Sequence, residues 1–157
     1  FGSEKKVVIS LTGNKKEYLS QIKDWKKFYD YLKEKNFCPI FILDLSLIEN
    51  ISQLKGYNIF FEATWNVQIR AACYQCCFLN IFVGHGPAEL CYYNPYTKYI
   101  SFLKTTSLDY HPNIERSLVG WQIGKDLPFA KKGQKIVWKD DTFENIKREF
   151  KKFVKEN

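Results

Sequence analysis

The residues with the most chemical promise are gathered in one short stretch. Leu79 to Tyr93 reads Leu-Asn-Ile-Phe-Val-Gly-His-Gly-Pro-Ala-Glu-Leu-Cys-Tyr-Tyr. A run of β-branched and aromatic residues enters Gly84-His85-Gly86-Pro87, and the good helix formers Ala88, Glu89 and Leu90 follow. This order predicts a strand, a tight turn and a helix start. Proline suits the first helical position, where its missing N–H would be unpaired anyway. The N–H groups of Ala88, Glu89 and Leu90 are then expected to point out of the carboxyl end of a strand, which is a phosphate-binding arrangement. A plain strand-to-helix turn with no ligand fits the same residues.

Other chemistry-bearing residues stand just after predicted strands, where open parallel sheets bind ligands. Thr12 to Lys16 follow the first strand, and Lys15 and Lys16 can neutralise a diphosphate. Asp44 follows the second, Glu62 to Trp65 the third, and Trp65 or Tyr110 offers a ring on which a base can stack. His85, one of only two histidines, can serve as a general base, as a diphosphate donor, or merely as a turn residue. His111, before Pro112, is the weaker candidate. No Gly-x-Gly-x-x-Gly follows the first strand and there is no Walker loop, which counts against oxidoreductase and ATPase readings. No Ser-His-Asp or Cys-His arrangement can be certified from spacing.

The elements that must hold these residues are read from hydrophobic period. Lys6 to Leu11, Pro39 to Leu43, Asn58 to Glu62, Leu79 to Val83 and Tyr99 to Leu103 are short, nearly continuous apolar runs. Lys135 to Trp138 offers a sixth. Between them, Ser20 or Asp24 can cap a helix that buries Trp25, Phe28, Tyr29 and Leu32 and ends at Asn36. Leu45 to Lys55 has helical character and is broken by Gly56. Asn66 can cap a helix over Val67 to Cys77 with an apolar stripe of Ile69, Ala72, Cys73, Cys76 and Cys77. Asp141-Thr142 can cap a closing helix in which Phe143, Ile146, Phe150, Phe153 and Val154 recur at helical spacing. Apolar strands alternating with amphipathic helices predict an α/β fold: an open, mainly parallel Rossmann-like sheet of five to six strands with helices on both faces. Residues 104 to 134 read as a long irregular loop with a weak helical tendency around Ile114 to Val119, and a loop of that length is more often a binding segment than idle chain.

At 157 residues the chain is one domain by size. Phe1-Gly2-Ser3 reads as a cloning remnant, so the domain is expected to run from residue 4 to 157. Hydrophobic residues make up 45% and aromatic residues 17%, enough for a packed core and too much for disorder. No apolar run approaches a membrane span. Five cysteines, odd in number and mostly inside apolar segments, suit a reducing, cytoplasmic compartment. Cys73, Cys76 and Cys77 lack a second ligand pair at zinc spacing, so buried thiols are expected there and no metal. The net charge of +7 sits at the two ends. Residues 1–39 carry nine Lys and Arg against five Asp and Glu, residues 40–103 three against four, and residues 104–157 twelve against eight. Lysines alternating with acids are solvated helix faces, and no recognisable nucleic-acid motif accompanies them.

Taken together, the strand, the Arg-Ala-Ala-x-Tyr helix at 70–74, the strand and Gly-Pro turn at 79–87, and Gln-Lys-Ile-Val-Trp-Lys-Asp-Asp-Thr-x-Glu-Asn-Ile at 134–146 resemble a known family. The order is similar to that of the carboxy-terminal half of bacterial GT-B glycosyltransferases, in particular the glycosyltransferase-like proteins of surface-polysaccharide loci. The resemblance runs from Lys6 to Phe153. It implies a domain that binds a sugar nucleotide as donor substrate, with no cofactor, the diphosphate lying near the Gly-rich turn. Gly84, His85, Gly86, Pro87 and Ala88 would inherit that role together with Thr12, Lys15 and Lys16, and Arg70 would support the site or pair within the core. Catalysis in such enzymes takes place between two Rossmann-like halves. The implied partners are therefore a second such domain and a glycan or lipid-linked acceptor, at the inner face of the membrane.

Overall fold

The computed structural model describes residues 4–13, 20–104 and 120–157. Its centre is a five-stranded sheet in the order β2-β1-β3-β4-β5, parallel throughout. The strands are β1 (Lys6–Leu11), β2 (Cys38–Leu43), β3 (Leu79–Val83), β4 (Tyr99–Phe102) and β5 (Gln134–Val137). This is an α/β, Rossmann-like architecture. β3 lies between β1 and β4, and all five of its side chains are buried, which explains why its sequence carries no alternation.

One face of the sheet is covered by α1 (Ile22–Glu34) and α5 (Phe143–Glu156). Trp25, Phe28 and Leu32 from α1 and Ile146, Phe150 and Phe153 from α5 pack on Val7, Ile9, Leu11, Ile81, Val83 and Phe102. Phe150 meets Phe28 edge-on at 5.4 Å and Phe37 at 5.1 Å between ring centroids. The Asp141 carboxylate, fully buried, accepts from Trp25 Nε1 at 2.7 Å and from the Gln21 N–H, and pairs with Lys104 at 3.2 Å. It thereby ties the start of α1 to the end of β4.

The other face carries α2 (Glu62–Trp65), α3 (Val67–Cys76), a 3₁₀ turn over Gly86–Ala88, and α4 (Glu89–Tyr92). Asn66 Oδ1 caps α3 by accepting from the N–H groups of Gln68 and Ile69. Thr142 caps α5 through the N–H of Asn145. Asn36, with φ of 60°, ends α1 in the left-handed conformation that asparagine tolerates.

Four expectations are corrected. Asn58 to Glu62 is not a strand: it touches the edge of β2 through the single bridge of Ile59 with Phe41, and Glu62 already opens α2. The Asn58 N–H is taken by the Tyr29 hydroxyl, so the ladder stops there. Ser20 does not cap α1, because its Oγ accepts from the Thr12 N–H. The ambiguous segment Leu45 to Lys55, expected as a short helix at most, is a 3₁₀ helix over Leu45–Leu54, begun by Asp44. Finally, α3 buries Arg70 and Tyr74 rather than its apolar stripe. Ile69, Ala72 and Cys76 are exposed and line an open groove with Cys73, Cys77 and Phe78. Of the cysteines only Cys91 is fully buried.

Candidate functional site

With strand order 2-1-3-4-5 the connections leave β1 and β3 toward opposite faces, which opens a crevice outside their carboxyl ends. Two of the predicted segments emerge there, Thr12-Gly13 after β1 and Gly84 to Pro87 after β3. Asp44 joins them from β2. Its Oδ2 accepts from the Thr12 hydroxyl at 3.3 Å, and its Oδ1 from the Leu45 N–H at 2.8 Å. Thr12 is fully buried, so its side chain supports the crevice floor from within.

The turn after β3 is held by close packing. A Cβ added at Gly84 would lie 2.4 Å from Leu103 Cδ2 and 3.1 Å from the Tyr92 hydroxyl, so any larger residue here must displace the Leu103 side chain. Gly86 is different: a Cβ there would meet nothing within 4 Å. The backbone of Gly86 therefore faces open space. The expected row of free amides is shortened, because the Ala88 N–H donates to the His85 carbonyl and the Glu89 N–H to Gly86 and Pro87. A tight 3₁₀ entry uses up donors that an α-helical entry would have left over.

His85 turns its ring inward. Nδ1 lies 2.7 Å from the Val83 carbonyl, which requires the proton on Nδ1. Nε2 is then the acceptor for the Ser10 hydroxyl at 3.2 Å, and Ser10 in turn accepts from the buried Tyr74 hydroxyl at 3.0 Å. Burial pushes the His85 pKa down to about 4, with Arg70 adding to the push and the Val83 carbonyl and Asp44 opposing it. The ring is thus neutral near pH 7 with both nitrogens engaged. Any side-chain role toward a ligand requires one of these bonds to open.

Arg70 sits one helical turn before Tyr74, on the same side of α3. It is 3% exposed; its Nε donates to the Ala63 carbonyl at 2.8 Å and its Nη2 to the Leu43 carbonyl at the end of β2. Beside it, a cleft of about 290 Å³ opens between α2–α3 and the turn, lined by Arg70, Thr64, Trp65, Gly86, Pro87 and Glu89 among others. Lys15, Lys16, Tyr110 and His111 lie outside the described residues. Among the described residues no cluster of three or more His, Cys, Asp or Glu is arranged to hold a metal ion.

Sequence reasoning missed Ser10 and Tyr74 as parts of this neighbourhood, while Thr64 falls within the expected segment Glu62 to Trp65. A signal existed for Ser10, a polar residue facing inward in the otherwise apolar strand Val-Val-Ile-Ser-Leu.

No family model and no curated protein matches this sequence. Among solved structures, the crystal structure of the glycosyl transferase family 9 from Veillonella parvula DSM 2008 matches 97% of this chain with a TM-score of 0.62 and 10% identity. The likeness is one of fold. The chain spans 40% of the length of that glycosyltransferase. No helix among the described residues is long and apolar enough to cross a membrane.

Proposed function

We propose that this domain is the donor-binding half of a GT-B glycosyltransferase acting in surface glycan synthesis. The observation that carries the proposal is the meeting of Thr12-Gly13 and Gly84 to Pro87 at the switch point between β1 and β3. The fold shared with a family 9 glycosyl transferase supports it. A sugar nucleotide would place its diphosphate along the outer side of Gly84, His85, Gly86, Pro87 and Ala88. Lys15 and Lys16 would add charge, while Thr12 and Arg70 hold the surrounding backbone. The domain's own part is to bind and orient the donor. Transfer to a glycan or lipid-linked acceptor needs a second Rossmann-like half, so the domain by itself turns nothing over.

Calorimetric titration with a panel of nucleoside diphosphates and their sugar conjugates tests this. Weak binding that falls as salt rises is expected. Gly86→Val should abolish it, and the open space at Gly86 means that the fold tolerates the change. No binding at millimolar concentration, or undiminished binding by Gly86→Val, overturns the proposal. The second reading, a non-catalytic Rossmann-like binding or assembly module, is favoured by the engaged N–H groups of Ala88 and Glu89.

A further inference from the structure

The cleft between α2–α3 and the turn holds a buried cation that makes no direct ion pair among the described residues. Arg70 is almost wholly buried, its two hydrogen bonds go to neutral main-chain carbonyls, and among the described residues no carboxylate pairs with it. Burying a guanidinium in this way is costly, because carbonyl dipoles replace only part of its hydration and leave its net charge uncancelled. A second group in the same cleft is also incomplete: the Thr64 Oγ1 is buried and has no hydrogen-bond partner. An anion seated beside Arg70 would supply the missing ion pair, and a turn of the Thr64 side chain toward the cleft would give its hydroxyl an acceptor; a phosphoryl group suits the remaining donors of the guanidinium.

The outer part of the cleft has a different character. Trp65 is 65% exposed on its rim, an unusual setting for so large an apolar ring. Glu89, also exposed, carries a negative charge on the α4 side. An anion is therefore drawn to the Arg70 end and repelled from the Glu89 rim, which gives the cleft a direction. Its volume of about 290 Å³ is at the lower end of the range for ligand pockets, enough for a phosphate and part of what it is attached to.

We infer that this cleft seats a phosphate of a nucleotide against Arg70 and Thr64, with the base stacked on Trp65. The inference rests on the donor-binding reading above and specifies it: the phosphate is held from the α3 side of the Gly86-Pro87 turn, and the base is read by a ring outside the sheet crevice. Hydrogen bonds from Arg70 and Thr64 fix the phosphate, and stacking tolerates different bases.

The test is titration of the whole chain with uridine diphosphate, adenosine diphosphate and inorganic pyrophosphate, followed by calorimetry and tryptophan fluorescence. Arg70→Gln can fail to fold, so the decisive variants are Thr64→Val, which removes only an unpartnered hydroxyl, and Trp65→Ala, which alters an exposed side chain. Thr64→Val should weaken the nucleotides and pyrophosphate alike by about tenfold. Trp65→Ala should weaken the nucleotides by about tenfold, leave pyrophosphate unchanged and remove the ligand-induced fluorescence change. If nucleotides bind the parent and both variants equally while Gly86→Val abolishes binding, the cleft inference is wrong and the donor-binding proposal stands. If neither nucleotides nor pyrophosphate bind at millimolar concentration, both are wrong.

Discussion

On one face of the sheet, α1 and α5 meet Val7, Ile9, Leu11, Ile81, Val83 and Phe102 largely through aromatic rings, with polar contacts at the Asp141 corner, at the Tyr29 hydroxyl and around Glu149. On the other face, the inward positions of the same strands include Ser10, Asn80, Ser101 and Gln134, all buried, and the covering residues include Tyr74 and Tyr92. Tyr92 bonds Ser101 at 2.6 Å, Asn80 Nδ2 donates to the Tyr74 and Lys98 carbonyls, and Gln134 Nε2 donates to those of Asn94 and Thr97. Asn80 Oδ1 and the Tyr99 hydroxyl remain without partners. The first face gains its stability from area and packing, which are insensitive to direction. The second gains specificity from directional bonds and loses heavily where one is missing. The candidate site grows from the second face, as does the relay that holds its turn.

If that contrast is real, the largest stability loss belongs to the apolar face. Phe150→Ala should cost about 3 to 5 kcal/mol in a denaturant melt, because the ring is fully packed against Phe28, Phe37 and Tyr31. A loss under about 1 kcal/mol would show that α5 does not anchor that face.

Acid should act on the polar face. With its pKa lowered from the usual 6.5 to about 4, His85 stays neutral in the fold while the unfolded chain takes up a proton. The stability it contributes is complete above about pH 6.5 and is lost as the pH falls toward 4, up to about 3 kcal/mol. Melts of the parent and His85→Gln across pH 4 to 7 should therefore differ in slope. Parallel curves would remove His85 from the account.

Next in size, Ser10→Ala leaves the Tyr74 hydroxyl and His85 Nε2 buried and unpaired, and should cost about 1 to 3 kcal/mol. Tyr74→Phe added to Ser10→Ala should recover part of that loss, since one orphaned group goes with its partner. A double-mutant cycle with no coupling would mean that the three groups do not act as one unit. The smallest effect belongs to the rim: Trp65→Ala should change stability by no more than about 0.5 kcal/mol, because its ring is mostly in solvent.

Much of this architecture was legible in the sequence, for a physical reason. Strands buried on both sides in a parallel sheet are nearly continuous apolar runs, and β1, β2, β3 and β4 are such runs apart from Lys6, Ser10, Asn80 and Ser101. The run from Asn58 to Glu62 looked the same and is not a strand, because a short apolar run does not say whether a neighbour exists to pair with it. The α3 helix misled in the opposite way. Its stripe of Ile69, Ala72, Cys73 and Cys76 has helical period, yet the buried side is set by where the Arg70 guanidinium and the Tyr74 hydroxyl find acceptors. The Gly84 to Pro87 turn could be read from local chemistry. The relay joining Ser10, Tyr74 and His85 could not, since their separations of 64 and 75 positions carry no pattern.

The strand order has a consequence for how the chain is made. β1 is synthesised first but belongs in the interior of the sheet, where Val7 must pair with Pro39 on one side and Leu79 on the other. Its first edge is covered once β2 has emerged, and its second waits for β3. At about 5 to 20 residues per second, the wait lasts several seconds. Throughout it, the nascent chain presents Val7 to Leu11 as a bare apolar edge that any other extended chain can extend. A ribosome-stalled or proteolysed fragment ending before Leu79 should accordingly be a client for chaperones, and a seed for aggregation where they are scarce.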